Sequence, residues 1–352
     1  MERLRKKATE LKAGIVILAS CILLGCFSGC VKKSDAHTAF YSWKTALELN
    51  PQESALLKNA ANNHLYLRFF DVSWDAQQKE VIPNAVINIK QDVTGLSIIP
   101  VVYITNKSFE HTSPAQADSL AVKVNNLVSS IARQHQISYE NVQIDCDWTV
   151  GTRASYFAFL KAFKNHSGKQ LEATIRLHQI KYPDRTGVPP VDKGLLMFYN
   201  MGKFSADLKA PNSIYNAEDA EKYLGTLPRY TLPLDIALPV FSWAIHIRDN
   251  KVIQLYSKIG KTQLSDQNYF ENQGGKNGYR AIKSFYLEGI YFKTGDLFKL
   301  EEINLKELDQ AAKQVSAKLA PMANRNIIYY ELSTTNLSTI NEKDLKEVSA
   351  RF

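Results

Sequence analysis

The alternation of short apolar segments with helix-like segments is the feature that most constrains the fold of this chain. Eight segments suit strands, and two of them, Leu65–Asp71 and Ser97–Thr105, are apolar almost throughout, which is typical of parallel strands buried on both faces. Parallel strands need long crossovers, and helices usually supply them. The sequence therefore predicts an α/β fold, a (β/α)8 TIM-like barrel. Its predicted strands are Thr38–Trp43, Leu65–Asp71, Ser97–Thr105, Val142–Thr149, Leu171–Leu177, Gly194–Asn200, Leu234–Phe241 and Asn326–Leu332.

The predicted helices have start signals in the sequence. Asn50 and Pro51 suit the N-cap and first position of a helix that reaches about Asn62. Ser113-Pro114 leads into a second helix with a regular inward apolar stripe. The remaining predicted helices complete the alternation, and the set is Gln116–His135, Arg153–Phe163, Asn304–Leu319 and Asn341–Val348.

Residues 244–303 do not follow the alternation. Ala244–Arg248 and Lys251–Leu255 predict a hairpin around Asp249-Asn250, and Phe285–Phe292 with Leu297–Leu300 predict a second hairpin around residues 293–296. We therefore expect a barrel of residues 37–243 and 304–352, with a small α+β insertion at 244–303 between strands seven and eight.

The N-terminal residues predict export. Five basic residues within the first twelve precede an uncharged apolar run from Ala13 to Phe27, the pattern of a signal peptide. We expect residues 1–30 to be a lipoprotein signal and lipobox, and residues 31–36 to be a tether. Cys30 is the preferred acylated residue because a polar stretch follows it, and Cys26 is the alternative. The lipid anchor predicts a location in the cell envelope, periplasmic or surface-exposed. The alternatives are an uncleaved membrane anchor or an ordinary secretory signal, and each of them also places the folded part outside the cytoplasm.

Composition excludes several classes of function. The formal net charge is +8, but five of the basic residues lie in the signal region, and no basic stripe with interleaved aromatics suggests nucleic acid binding. The spacing of cysteine and histidine predicts no metal site, and no cofactor is expected. Cys146 lies between two aspartates, so a small buried hydrophobe is favoured over a nucleophile. Nothing in the sequence identifies a protein partner.

The segment Val142–Thr149 resembles the strand-four signature of family-18 chitinases. Asp145, Asp147 and Trp148 match that signature, but Thr149 stands where the catalytic glutamate should be. The segment 197–200, Met-Phe-Tyr-Asn, is similar to the family's strand-six motif, with Asn200 in place of an aspartate. From 40–43 to 327–331 the chain also resembles an uncharacterised family of bacterial lipoproteins with a glycosidase-like barrel. The resemblance implies a carbohydrate ligand, and it implies that the insertion forms one wall of the cleft.

The candidate site residues lie at the carboxyl ends of the predicted strands, where such barrels bind their ligands. Carboxylates that bond hydroxyls and aromatic faces that stack on pyranose rings suit a sugar site. Asp147 and Asp145 are the candidate catalytic residues if the chain is active. The candidate substrate-binding residues are Trp43, Asp71, Trp148, Arg176, His178, Tyr199, Asn200, Trp243 and Glu331.

Structural roles compete with these assignments. Asp145 also suits a buried ion pair with Arg68 or Arg176. Tyr199 and the tryptophans also suit core packing, and His178 suits a hydrogen-bonded spectator.

Three functions follow from the sequence. The first is a noncatalytic glycan-binding lipoprotein that has lost its acid. The second is an active glycoside hydrolase in which Asp147, Asp71 or Glu331 replaces the missing acid, because a threonine hydroxyl is a poor proton donor. The third is an envelope scaffold with a vestigial cleft.

Overall fold

A computed structural model describes residues 36–60, 63–273, 277–333, 337 and 339–352. Within these residues, eight parallel strands form a barrel, which β1 closes by pairing with both β2 and β8. The prediction of a (β/α)8 barrel is confirmed. Its strands are β1 His37–Ser42, β2 His64–Asp75, β3 Ser97–Ile104, β4 Asn141–Asp145, β5 Gln170–Ile175, β6 Lys193–Met197, β7 Leu234–Pro239 and β8 Asn326–Tyr330.

The carboxyl ends of β4 and β6 come earlier than the sequence predicts. The ladder of β4 stops at Asp145, and the amide of Cys146 donates to Oγ1 of Thr174 at 3.4 Å. Strand β6 ends at Met197, and Asn200 has a φ of 56°, which a strand does not accommodate. The predicted extension of these strands to Thr149 and Asn200 is therefore wrong, and both residues lie in loops above the barrel.

Helices follow most of the strands. Asn50 caps the first helix: its Oδ1 accepts from the amides of Gln52 (3.0 Å) and Glu53 (2.9 Å), so the predicted N-cap is confirmed. The predicted end at Asn62 lies outside the described residues. The helices are α1 Pro51–Asn59, α2 Asn106–Glu110, α3 Ala117–Gln134, α4 Arg153–Ser167, α5 Leu177–Lys181, α6 Pro183–Thr186, α7 Ala217–Leu224, α8 Lys261–Leu264, α9 Leu305–Ser316 and α10 Glu342–Ser349.

A buried polar network fills the N-terminal end of the barrel interior. Nζ of Lys193 lies 2.5 Å from Oδ2 of Asp235 and 3.4 Å from Oε1 of Glu172. Glu172 also accepts from the Asn141 amide (2.9 Å) and the Gln143 amide (3.2 Å). These groups satisfy one another, and barrels of this kind bind their ligands at the opposite end, where the strands have their carboxyl ends.

The chain between β7 and β8 forms a five-stranded antiparallel sheet, in the order 251–256, 243–248, 297–301, 278–281, 270–272. The predicted hairpin around Asp249 and Asn250 is confirmed, and both turn residues have positive φ (50° and 56°), as a tight hairpin turn requires. The second predicted hairpin is wrong. Phe285–Leu287 pairs with Ile290–Phe292, and Leu297–Glu301 pairs instead with the strands 243–248 and 278–281.

The alternation of apolar and polar residues predicts a strand but does not specify which other strand it pairs with. This explains why the second hairpin was predicted wrongly. The division of the chain into barrel and insertion at 243 and 304 stays a prediction. The predicted signal peptide at residues 1–30, with Cys26 and Cys30, lies outside the described residues. Among the helices that are described, none is both long and apolar enough to cross a membrane.

Candidate functional site

The residues that follow β4 alternate between the barrel mouth and the outer layer. Cys146 is fully buried, and its surroundings confirm the predicted role as a small hydrophobe. Burial, together with the charges of Asp145 and Asp147, raises the pKa of the Cys146 thiol well above its ordinary value. The thiol therefore stays protonated and inert.

Trp148 is fully buried and packs outside the barrel. Its ring stacks on Tyr156 at 5.1 Å, and its Nε1 donates to the carbonyl of Thr186 at 3.0 Å. A ring enclosed in this way has no face for a ligand, so the assignment of Trp148 to substrate binding is wrong. The physical reason is that β4 ends at Asp145, so Trp148 lies in the loop after the strand and its ring packs against α4.

Asp147 and Arg176 form a bidentate ion pair at the mouth. Nη2 of Arg176 donates to Oδ2 of Asp147 at 2.9 Å, and Nε of Arg176 donates to Oδ1. The two side chains are 44% and 26% exposed, so the pair borders solvent. Burial alone would lower the pKa of Arg176, but the hydrogen bond and charge of Asp147 outweigh it and raise the pKa above its ordinary value.

Asp145 lies deeper and has no cation within ion-pair distance among the described residues. It is 3% exposed, and its Oδ1 accepts a hydrogen bond of 2.6 Å from the Thr174 hydroxyl. Burial raises the pKa of Asp145 to about 6; the Arg176 charge opposes this shift and the Asp147 charge adds to it. The predicted ion pair of Asp145 with Arg68 or Arg176 is wrong, because those guanidinium groups are held by Asp71 and Asp147.

A second charged group lies at the carboxyl ends of β1, β2 and β8. Arg68 donates to both carboxylate oxygens of Asp71 (2.7 and 2.8 Å) and to the carbonyl of Trp43 (3.0 Å). Glu331 Oε2 accepts from the amide of Trp43 at 3.2 Å. Burial raises the pKa of both Asp71 and Glu331, against the opposing charges of Arg68 and Lys44. These contacts fix the backbone and ring of Trp43 beside the mouth.

Aromatic side chains surround the two charged groups. Tyr199 stacks on Tyr330 at 5.6 Å, Trp43 packs against Tyr330 at 5.9 Å, and Phe241 packs edge-on against Tyr330 at 5.7 Å. Trp243 continues the cluster, with centroids 5.2 Å from Phe241 and 5.4 Å from Phe204. We call this set the mouth aromatics: Trp43, Tyr103, Tyr199, Phe204, Phe241, Trp243 and Tyr330.

Two of the mouth aromatics, Trp243 and Tyr199, have polar groups that differ in their hydrogen bonding. The indole Nε1 of Trp243 donates to Oε2 of the buried Glu301 at 3.0 Å, which orients the ring. The Tyr199 hydroxyl is buried and has no hydrogen-bond partner among the described residues. A buried hydroxyl without a partner in the protein suits a bond to a ligand or an ordered water.

Two other predicted residues lie at the margin of the mouth. His178 is exposed at the start of α5. Partial burial of its imidazole lowers the pKa, while the charge of Asp147 opposes that shift. Asn200 is exposed in the loop after β6. Neither side chain lies at a strand end, because β5 and β6 end before them.

Four mouth aromatics are not among the residues predicted from the sequence. Tyr103 is the penultimate residue of β3, opposite Asp145 in the register of β3 and β4, and Tyr330 is the last residue of β8. Both could have been found by taking alternate residues back from each strand end. Phe204 lies in a loop, where strand alternation gives no signal. Phe241 ends the predicted strand Leu234–Phe241, although the strand in the structure stops at Pro239.

A separate cleft of about 560 Å³ opens between the loops after β3 and β4. Its lining includes Glu110, His111, Thr149, Thr152 and Ser155. The amide of Thr149 donates to Oγ1 of Thr152 at 3.0 Å, so this loop is tied to the start of α4. Thr149 therefore borders this side cleft.

No cluster of three metal-ligating side chains occurs in the part of the chain that the structure describes. The chemistry of the mouth is that of carboxylates, guanidinium groups and aromatic rings.

Comparison with known proteins identifies the fold. The spore cortex-lytic enzyme SleL of Bacillus megaterium superposes with a TM-score of 0.51 at 10% identity, covering 92% of this chain and 75% of that one. The chitinase RmChi1 of Rhizomucor miehei gives a TM-score of 0.46 at 10% identity, over 89% of this chain and 99% of that one. A thermostable chitinase domain of Pyrococcus furiosus gives 0.45 at 8% identity, over 90% and 95%. No family model and no curated protein matches the sequence.

Proposed function

We propose that this protein is an extracytoplasmic glycan-binding barrel, anchored to the cell envelope by a lipid on Cys30, that lacks the standard family-18 mechanism. The observation that carries the proposal is the set of mouth aromatics around the Asp147–Arg176 ion pair. Flat rings and fixed polar groups at one open barrel end match the needs of a pyranose, which has apolar faces and an equator of hydroxyls.

The ion pair suits recognition better than proton transfer. Both oxygens of Asp147 accept hydrogen bonds from Arg176, so this carboxylate acts as a hydrogen-bond acceptor at the mouth. The remaining lone pairs of Asp147 and the free donors of Arg176 are available to sugar hydroxyls or an acetamido group. Since Thr149 has no acidic proton at neutral pH, no donor stands at the glutamate position.

One observation favours hydrolysis as the second candidate function. Asp145 has a pKa of about 6 and no cationic partner among the described residues, so it can hold a proton close to neutral pH. Its 3% exposure means that the mouth must open or the leaving oxygen must reach deep into the barrel. Glu331 and Asp71, whose pKa values are also raised, are alternative donors.

Binding is tested by calorimetry with oligomers of β-1,4-linked N-acetylglucosamine and of β-1,4-linked glucose. Trp243→Ala removes a half-buried aromatic ring of the mouth and is expected to weaken binding by about tenfold or more, as the loss of one aromatic stacking partner implies. Tyr139→Ala is the matched control, because Tyr139 lies before β4 at the opposite end of the barrel. Equal affinities in both variants would place the ligand elsewhere.

Product analysis distinguishes the two functions. The same oligomers are incubated with the protein and examined for new reducing ends. Binding without cleavage supports the glycan-binding function, whereas cleavage that disappears in Asp145→Asn supports the hydrolase. Neither binding nor cleavage would favour the envelope scaffold.

The envelope location is tested separately. Cys30→Ser is expected to release the protein from membranes into the soluble fraction, while Cys26→Ser leaves it attached. The reverse result would move the acylation site to Cys26.

A further inference from the structure

A small cleft near the N-terminal ends of β7 and β8 is independent of the mouth. It has a volume of about 210 Å³ and lies between the segment that leads into β7 and the segment that leads into β8. Its lining is mainly apolar, with three side chains that carry polar groups, Tyr230, Thr231 and Arg325. The apolar lining includes Leu227, Leu232, Leu319 and Met322.

Arg325 contributes a buried guanidinium to this cleft. The residue is 4% exposed, its Nη2 donates to the carbonyl of Ala320 at 2.6 Å, and its Nε has no hydrogen-bond partner in the described chain. The buried acid whose charge acts on Arg325 is Asp235, and its oxygens already accept from Lys193 (2.5 Å) and from the amide of Asn326 (2.9 Å). Arg325 thus forms no ion pair with any described residue.

The hydrogen bonding of the Arg325 guanidinium is incomplete. Buried charges in proteins are normally paired, and a buried donor without an acceptor is costly. Burial lowers the pKa of Arg325, which reflects the same lack of a close anion. Tyr230, which lines the same cleft, has a second buried polar atom without a partner in the described residues.

We propose that this cleft binds a small organic anion, a carboxylate with a short apolar chain, through Arg325. The carboxylate accepts side by side from Nε and from the second hydrogen of Nη2, the fork geometry that guanidinium groups favour. The apolar chain packs against Leu232 and Leu319. The cleft has room for about seven waters at ~30 Å³ each, which is close to the size of a carboxylate of about six carbons.

The test compares hexanoate with the neutral hexanamide by calorimetry, using the full chain in a neutral detergent. The protein is expected to bind hexanoate saturably and about tenfold or more tightly than hexanamide, since a charge-assisted fork is lost in the amide. Arg325→Gln is expected to abolish this preference.

Because removal of a buried arginine can impair folding, a second variant keeps the test decisive. Leu319→Trp fills the cleft and leaves Arg325 in place, and it is expected to abolish hexanoate binding with an unchanged circular dichroism spectrum. Leu305→Trp, at an exposed position at the start of α9, is the matched control and retains binding. Equal affinities for hexanoate and hexanamide, no saturable binding, or undiminished binding by Leu319→Trp would overturn the proposal.

Discussion

Replacement of Asp145 by asparagine tests whether the ionised carboxylate of this residue destabilises the folded protein. Asparagine has the same shape, and its Oδ1 still accepts from the Thr174 hydroxyl, which lies 2.6 Å away in the native protein. The substitution removes only the ability to ionise and replaces one oxygen by an amide group. If the carboxyl group of Asp145 stabilised the fold, the asparagine variant would be less stable than the native protein at every pH.

The magnitude follows from the pKa of Asp145, which burial raises from 3.8 to about 6. Each unit corresponds to about 1.4 kcal/mol, so ionisation of the folded protein costs about 3 kcal/mol at most. The amide of the asparagine adds a buried donor, which costs about 1–3 kcal/mol if it remains unpaired. The cost of the buried amide does not depend on pH. The difference in stability between two pH values therefore isolates the cost of ionising Asp145.

The sign is fixed by the direction of the shift. Below pH 3.8 the carboxyl group is protonated in both the folded and unfolded states, and its ionisation costs nothing. As the pH rises from 3.8 to about 6, only the unfolded state releases its proton easily, so the native protein loses stability. Asp145→Asn avoids this loss, and its stability relative to the native protein should rise over the same interval.

Urea denaturation at pH 4 and pH 8 measures the effect. The free energy of unfolding of Asp145→Asn minus that of the native protein is expected to be about 2–3 kcal/mol larger at pH 8 than at pH 4.

The matched control is Asp192→Asn, for which the opposite sign is expected. Although burial opposes the shift, hydrogen bonds from Lys164 and from the amide of Leu171 hold the pKa of Asp192 below its ordinary value. Its ionised form therefore stabilises the fold above the ordinary pKa. A pH-independent effect of Asp145→Asn, or a greater loss of stability at pH 8, would refute the reasoning.

Three further substitutions test the local structure by urea denaturation. Trp148→Ala should cost about 3–5 kcal/mol, because it empties a fully buried ring position; a loss below ~1 kcal/mol would show that this ring is not enclosed. Asn50→Ala should cost about 1 kcal/mol through the loss of the helix cap, and Asn50→Asp should restore most of it. Asn250→Val should cost about 1–3 kcal/mol because its φ of 56° disfavours a branched side chain, whereas Asn250→Gly should be neutral.

The barrel could be predicted from the sequence because its signals are local. Runs such as Ser97–Ile104 are apolar on both faces, and the helices between strands carry caps such as Asn50. The first hairpin of the insertion was predictable for the same reason, since Asp249-Asn250 are suited to positive φ. The pairing of Leu297–Glu301 was not, because its partners lie far away in the chain and no local residue specifies them.

The candidate site was predictable only in part. The strand ends identify Asp145 and Asp147, but the partner of each arginine depends on where the strands stop. The end of β4 at Asp145 directs Asp147 towards Arg176 and Trp148 into the outer layer. The buried guanidinium of Arg325 gave no sequence signal, because its lack of a partner is a property of the folded surroundings.

A crystal structure with an oligomer of N-acetylglucosamine bound is the most direct test of the central claim. We expect a sugar ring in the barrel mouth, stacked on Trp243 or Trp43, with its polar groups bound to Asp147 and Arg176. A bound oligomer that avoids the mouth aromatics, or a mouth that stays empty at saturating ligand, would contradict the claim that this end of the barrel binds glycans.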